Sequence, residues 1–161
     1  MTVSPSNVVA VLQPIFGACP DVALVTLFGS CAKGKMSESS DIDLLIWLMP
    51  TSKWTRHDLW DWFDSQQVDS EIMLKASLVV KHWRKTIFID TLLLDMPEEH
   101  VVVYDPQNLA PGILTAIRNW RKKSGAKKIP SFNGTHAWKY SSIPGSTLAS
   151  MDFSLEMVDV A

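Results

Sequence analysis

The segment from Val22 to Leu48 constrains this chain more than any other: an aliphatic run closing on a glycine, a polar stretch, then DIDLLIWL. Val22 to Phe28 and Asp41 to Leu48 both read as buried strands, being short runs of strand-forming residues bounded by turn chemistry. Gly29 to Ser40, between them, is rich in Gly, Ser and Lys, too polar for a core and too short for a domain, so the two strands are expected to pair. Alternation along the second strand puts Asp41 and Asp43 on one face and turns Ile42 and Leu44 into the core. Two carboxylates are thereby aimed at one point beside a Gly29-Ser30 turn.

The rest of the chain supplies elements to pack around that pair. Val8 to Phe16 has helical spacing behind a Ser6 or Asn7 cap, and Arg56 to Gln67 puts Leu59, Trp62 and Phe63 on one face behind a Thr55 cap. Val68 to Leu74 reads as a strand. Ser77 to Met96 has helical spacing and is stopped by Pro97; His100 to Tyr104 is a strand, and Leu109 to Lys123 a last helix with Ile113, Ile117 and Trp120 inward. This order predicts an α/β (α+β) domain, a small mixed sheet with helices mainly on one face, over residues 1–128. After Lys128 periodicity fails, and residues 129–161 are expected to be an irregular tail packed on the domain or on a neighbour.

With 161 residues and 47% hydrophobic content, the chain can bury a real core. A net charge of -2 gives no global reason to expect DNA or an acidic membrane as partner. No apolar run approaches the roughly 20 residues that span a bilayer. Cys19 and Cys31 match no metal spacing, and the N-terminus lacks a signal-peptide pattern, so the expected setting is cytoplasmic with free thiols. His57, His82, His100 and His136 make no zinc motif. Trp54, Trp60 and Trp62 are expected in core or interface rather than stacked on a base. Six basic residues fall between Arg118 and Lys128. They form either a solvated helix end or, through Arg118, Arg121, Lys122 and Lys123, a contact for RNA.

Two carboxylates held close repel, and a divalent cation resolves the conflict by taking both as ligands. The ligands are hard oxygens, which selects Mg²⁺, with Mn²⁺ an alternative. The strand read over Val68 to Leu74 would add Asp69 or Glu71, and three carboxylates can hold two ions about 4 Å apart for in-line phosphoryl displacement. Gly29 permits close approach of a phosphate to the backbone, Ser30 offers it a hydroxyl and an N–H, and Lys33 and Lys35 can neutralise further charge. A D-x-D at a strand end is by itself more often a turn or a solvated edge. Its weight here comes from the ten residues that separate it from Gly29-Ser30.

Read together, LFGSCAKGKMSESSDIDLLI resembles the signature of the DNA polymerase beta type nucleotidyltransferase superfamily, most closely its minimal branch. Gly29, Ser30, Ala32, Lys33, Gly34, Ser40, Asp41 and Asp43 match, with Lys33 where the family often has arginine. The resemblance spans roughly Val22 to Tyr104. It implies a nucleotidyltransferase-like fold and a nucleoside triphosphate, ATP on general abundance, bound through Gly29, Ser30, Lys33 and Ser40. It also implies metal ions on Asp41, Asp43 and a third acid that serves the acceptor; Asp69 is favoured for that role, with Glu71 the alternative. A hydroxyl on a protein or RNA would attack the α-phosphorus, a separate helical partner protein can be involved as in toxin–antitoxin pairs, and a homo-oligomer is compatible with this. Two other outcomes fit the same motif: transfer to a small molecule of the aminoglycoside type, and a non-catalytic member that binds nucleotide or partner.

Overall fold

The computed structural model describes residues 3–83, 86–88, 90–132, 134–139 and 150–152. The first helix, α1 (Pro5–Gly17), starts at Ser4, whose hydroxyl accepts from the Asn7 N–H at 3.3 Å, so the cap lies upstream of the expected Ser6 or Asn7. Val8, Leu12 and Phe16 form its buried stripe. The strands β1 (Val22–Phe28) and β2 (Ile42–Leu48) pair as expected, and do so antiparallel, joined through the single-turn α2 (Gly29–Ala32). The helix α3 (Arg56–Asp64) is capped at Thr55 in a reciprocal box with Asp58 and buries Leu59 and Phe63.

Two expectations are corrected in the next stretch. Val68 to Leu74 is no strand: Ser70–Lys75 is a helix, α4, with Asp69 as its N-cap. The strand comes one element later, as β3 (Ala76–His82), where a helix was expected to run from Ser77 to Met96. That span also holds β4 (Thr86–Phe88) and the short helix α5 (Thr91–Asp95). Beyond it, β5 (His100–Tyr104) and α6 (Ala110–Ser124) lie close to where they were expected, and Asp105 accepts from the Leu109 and Ala110 N–H groups at 2.7 and 2.9 Å to start the helix. The region expected to be irregular after Lys128 contains β6 (Lys127–Pro130) paired antiparallel with β7 (His136–Lys139), and β8 (Ser150–Asp152) paired with β4. Residues 133, 140–149 and 153–161 of the expected tail lie outside the described residues.

The chain divides into two compact units: Met1–Trp83 with Glu99–Ala110, and Arg84–Glu98 with Pro111–Ala161. The first contains the four-stranded mixed sheet, ordered β3-β2-β1-β5, in which β2 and β3 are parallel and the other neighbours antiparallel. One face of that sheet presents Val25, Leu27, Ile42, Leu44, Ile46 and Leu78 to α1 and α3 residues in a single hydrophobic core. The opposite face is also buried at Leu24, Thr26, Leu45 and Trp47. Trp54, Trp60 and Trp62 pack against this core, Trp62 lying 5.9 Å from the Phe16 ring and 6.0 Å from Trp54, which assigns them to packing. Among the described residues, no helix is long and apolar enough to cross a membrane.

Candidate active site

Asp43 is the second residue of β2, and the register of the sheet sets its neighbours: Phe28 of β1 on one side and Ser77 of β3 on the other. Ile42 and Leu44 are fully buried, so strand alternation sends Asp43 to the face away from that core, with the exposed Asp41 two residues before it on the same side. Gly29 follows Phe28 directly and takes a φ of 70°, and a Cβ placed on it would lie 2.7 Å from Asp43 Oδ2. The backbone of the Gly29-Ser30 turn and the Asp43 carboxylate are thus in near contact, and only glycine admits it.

Burial, followed by repulsion from Asp41, pushes the Asp43 carboxyl above its ordinary range, against a hydrogen bond from the Ser77 side chain that lowers it. Cys31, buried in α2, has its thiol pushed up by burial and then by the charge of Asp43. Both effects describe a carboxylate that is short of positive charge. Hard anionic oxygens on Asp41 and Asp43, one of them resisting ionisation in the bare protein, fit a divalent cation such as Mg²⁺.

The remaining expected site residues separate into those near this pair and those engaged elsewhere. Lys33, the C-cap of α2, pairs with Glu99 at 2.8 Å, at the residue that precedes β5. Ser40 uses its hydroxyl to close the turn before Asp41, accepting from the Ser37 N–H at 2.9 Å and bonding the Ser37 hydroxyl at 2.9 Å. Asp69 accepts from the Glu71 and Ile72 N–H groups at 3.0 and 3.4 Å, and Glu71 lies in the first turn of α4. Neither acid is on the strand that flanks β2. Among the described residues, no three His, Cys, Asp or Glu side chains form a group able to hold a metal ion.

Two residues of this neighbourhood carried no signal in the sequence. Ser77 lay inside a stretch with helical spacing, and Glu99 sat just outside the HVVVY run. Of the four basic residues considered for RNA, Arg118, Lys122 and Lys123 are exposed. Arg121 is not available in the same way: both its terminal nitrogens bond the Glu98 carboxylate, and its guanidinium lies 4.4 Å from the Trp138 ring centre.

A family model described as polymerase beta, nucleotidyltransferase, matches residues 11–100. Among solved structures, the chain is similar to a mutant MntA-HpeT toxin–antitoxin, with 13% identity over 74% of this chain and 88% of that one and a TM-score of 0.48. It is similar also to a toxin–antitoxin with AMP-PNP, with 15% identity over 74% and 87% and a TM-score of 0.47. A third similarity is to a candidate nucleotidyltransferase from Sulfolobus solfataricus, with 17% identity over 65% and 82% and a TM-score of 0.40. No curated protein matches the chain.

Proposed function

This chain belongs to the polymerase beta nucleotidyltransferase family, and from that premise we propose that it moves a nucleoside monophosphate from a nucleoside triphosphate, ATP in the first instance, to a hydroxyl on a protein or RNA acceptor. The observation that carries this reading is the near contact between Gly29 and Asp43 Oδ2 beside Asp41. This supports the reading because a turn with room for a phosphate and two carboxylates able to take a cation then stand side by side.

A bound Mg²⁺ or Mn²⁺ supplies charge neutralisation, for the two carboxylates and for the triphosphate oxygens alike. Gly29 leaves room for a phosphate against the backbone, and Ser30 donates its N–H and hydroxyl to it. Lys33 adds a cation at the edge of the same turn, and Glu99 holds that cation in place. The acceptor hydroxyl attacks the α-phosphorus, its oxygen forming the new P–O bond as the bond to pyrophosphate breaks, and its proton passes to solvent water. Asp69, engaged in capping α4, is given no part in this step. For an RNA acceptor, the exposed Arg118, Lys122 and Lys123 supply phosphate contacts, and binding would then weaken steeply with salt. A partner protein presenting the acceptor is an equal route to the same chemistry.

One observation favours a second reading, nucleotide binding without turnover: the strand position across from Asp43 carries a serine and no third acid. Incubation with Mg²⁺, α-labelled ATP and a lysate of the host separates the two. Labelling of a macromolecule by the wild type and not by Asp43→Ala supports transfer, and equal labelling by both overturns it. Binding of ATP with no label transferred supports the second reading.

A further inference from the structure

The acceptor side of the carboxylate pair is defined by what β3 places next to Asp43. Register pairs Ile42 with Ala76, Asp43 with Ser77 and Leu44 with Leu78, and Leu44 and Leu78 share the buried core. Ser77 therefore stands on the same face as Asp43, and its side chain is hydrogen-bonded to that carboxylate. Lys75, the last residue of α4 and two before Ser77, donates to the Glu38 carbonyl at 2.5 Å. On the other flank the register places Phe28 beside Asp43 and His100 beyond it. None of these register neighbours is an acid, and Glu99, the residue before His100, has its carboxylate paired with Lys33 at 2.8 Å.

Two divalent cations about 4 Å apart repel strongly, and a site holds both by surrounding them with enough carboxylate charge. Asp41 and Asp43, with triphosphate oxygens and water, complete the six-fold shell of one cation. A neutral hydroxyl whose hydrogen bond goes to Asp43 contributes no charge towards a second. Resting on the nucleotide site proposed above, we propose that Ser77 makes this a one-cation site, in which the cation arriving with the triphosphate binds Asp41 and Asp43 and no second cation is retained on the acceptor side. The side chain at position 77 then determines the cation number, independently of Asp69 and Glu71.

The test counts Mn²⁺ per bound α,β-methylene-ATP, by equilibrium dialysis with electron paramagnetic detection of free Mn²⁺. Wild type and Ser77→Ala are expected to hold one Mn²⁺ per nucleotide. Ser77→Asp is expected to hold two, with Ser77→Glu measured beside it as a second carboxylate geometry. Two ions in the wild type overturn the inference and leave the nucleotide site standing; so does a count of one in both folded carboxylate variants. No bound nucleotide in the wild type overturns the functional reading itself.

Discussion

At Gly29 the backbone takes a left-handed turn within reach of a carboxylate, and the two constraints can be separated by comparison with Gly34. Both glycines have positive φ, 70° and 64°, but a Cβ on Gly34 would meet nothing within 4 Å. Gly29→Ala and Gly34→Ala should each lose about 1–2 kcal/mol in urea unfolding from the left-handed conformation. Gly29→Ala alone should also weaken Mn²⁺-nucleotide binding, because Asp43 Oδ2 has to move away. Equal binding losses in both variants would remove the special role of the Gly29 contact. Asp43 itself has the opposite effect on stability. Its folded-state carboxyl is raised first by burial and then by Asp41, so the folded chain keeps a proton that the unfolded chain has released. Stability contributed here falls as pH rises from the unfolded value of about 3.9 through the raised one. Asp43→Asn should therefore make the metal-free protein more resistant to urea at pH 7, with the advantage shrinking below about pH 4. A variant less stable than wild type at pH 7 would contradict this. The Gly29 turn and the shared face of Asp41 and Asp43 were legible in the sequence because both are local: one turn and one strand end.

The elements flanking the site were less legible, and α4 shows why. A strand puts residues two apart on one face, which would have buried Ile72 and Leu74 together. In the structure Ile72 is 4% exposed and Leu74 86% exposed, the split that a helix imposes on that spacing. Six residues are too few for the period to declare itself, and Asp69 looked like a strand acid when it is an N-cap. The following strand, β3, lies at the edge of the sheet and fully buries only Leu78 among its seven residues. Without two-sided burial its alternation is invisible. Asp69→Ala should cost about 0.5–2 kcal/mol, the usual loss for a helix cap, while leaving the number of Mn²⁺ ions per nucleotide unchanged. A loss of Mn²⁺ from a folded Asp69→Ala protein would return Asp69 to the site. By contrast, β1, β2 and α3 were readable because each has a strong apolar pattern and a clear boundary residue, such as Thr55.

At the scale of the whole molecule, the carboxylate pair lies entirely within the first unit, while the second is organised around an acid that no sequence pattern announced. Asp95, the last residue of α5, receives the Trp138 indole N–H at 2.9 Å and the Lys128 ammonium at 3.2 Å, and His136 Nε2 lies 3.0 Å from both its oxygens. These groups come from β6 and β7, His136 and Trp138 being 41 and 43 residues away in sequence. Such a tie depends on tertiary contact and leaves no local periodicity to read, which is why the hairpin was expected to be irregular. Burial alone would push the Asp95 carboxyl up, yet the hydrogen bonds from His136, Trp138 and Lys128 together hold it below its ordinary value. Its contribution is therefore fully present above the unfolded value of about 3.9 and is lost as pH falls through the lower folded value. Asp95→Asn removes the charge at every pH, and the free energy for opening β6–β7 should drop by about 1–2 kcal/mol for a partly exposed charged cluster. The register makes Ile129 and Ala137 a hydrogen-bonded pair, and hydrogen exchange of their amides should then quicken on the order of tenfold at neutral pH. The same amides in the wild type should lose their protection on acidification below about pH 4. Exchange in Asp95→Asn as slow as in the wild type would mean that the hairpin is held by the Trp138 and Arg121 contact instead.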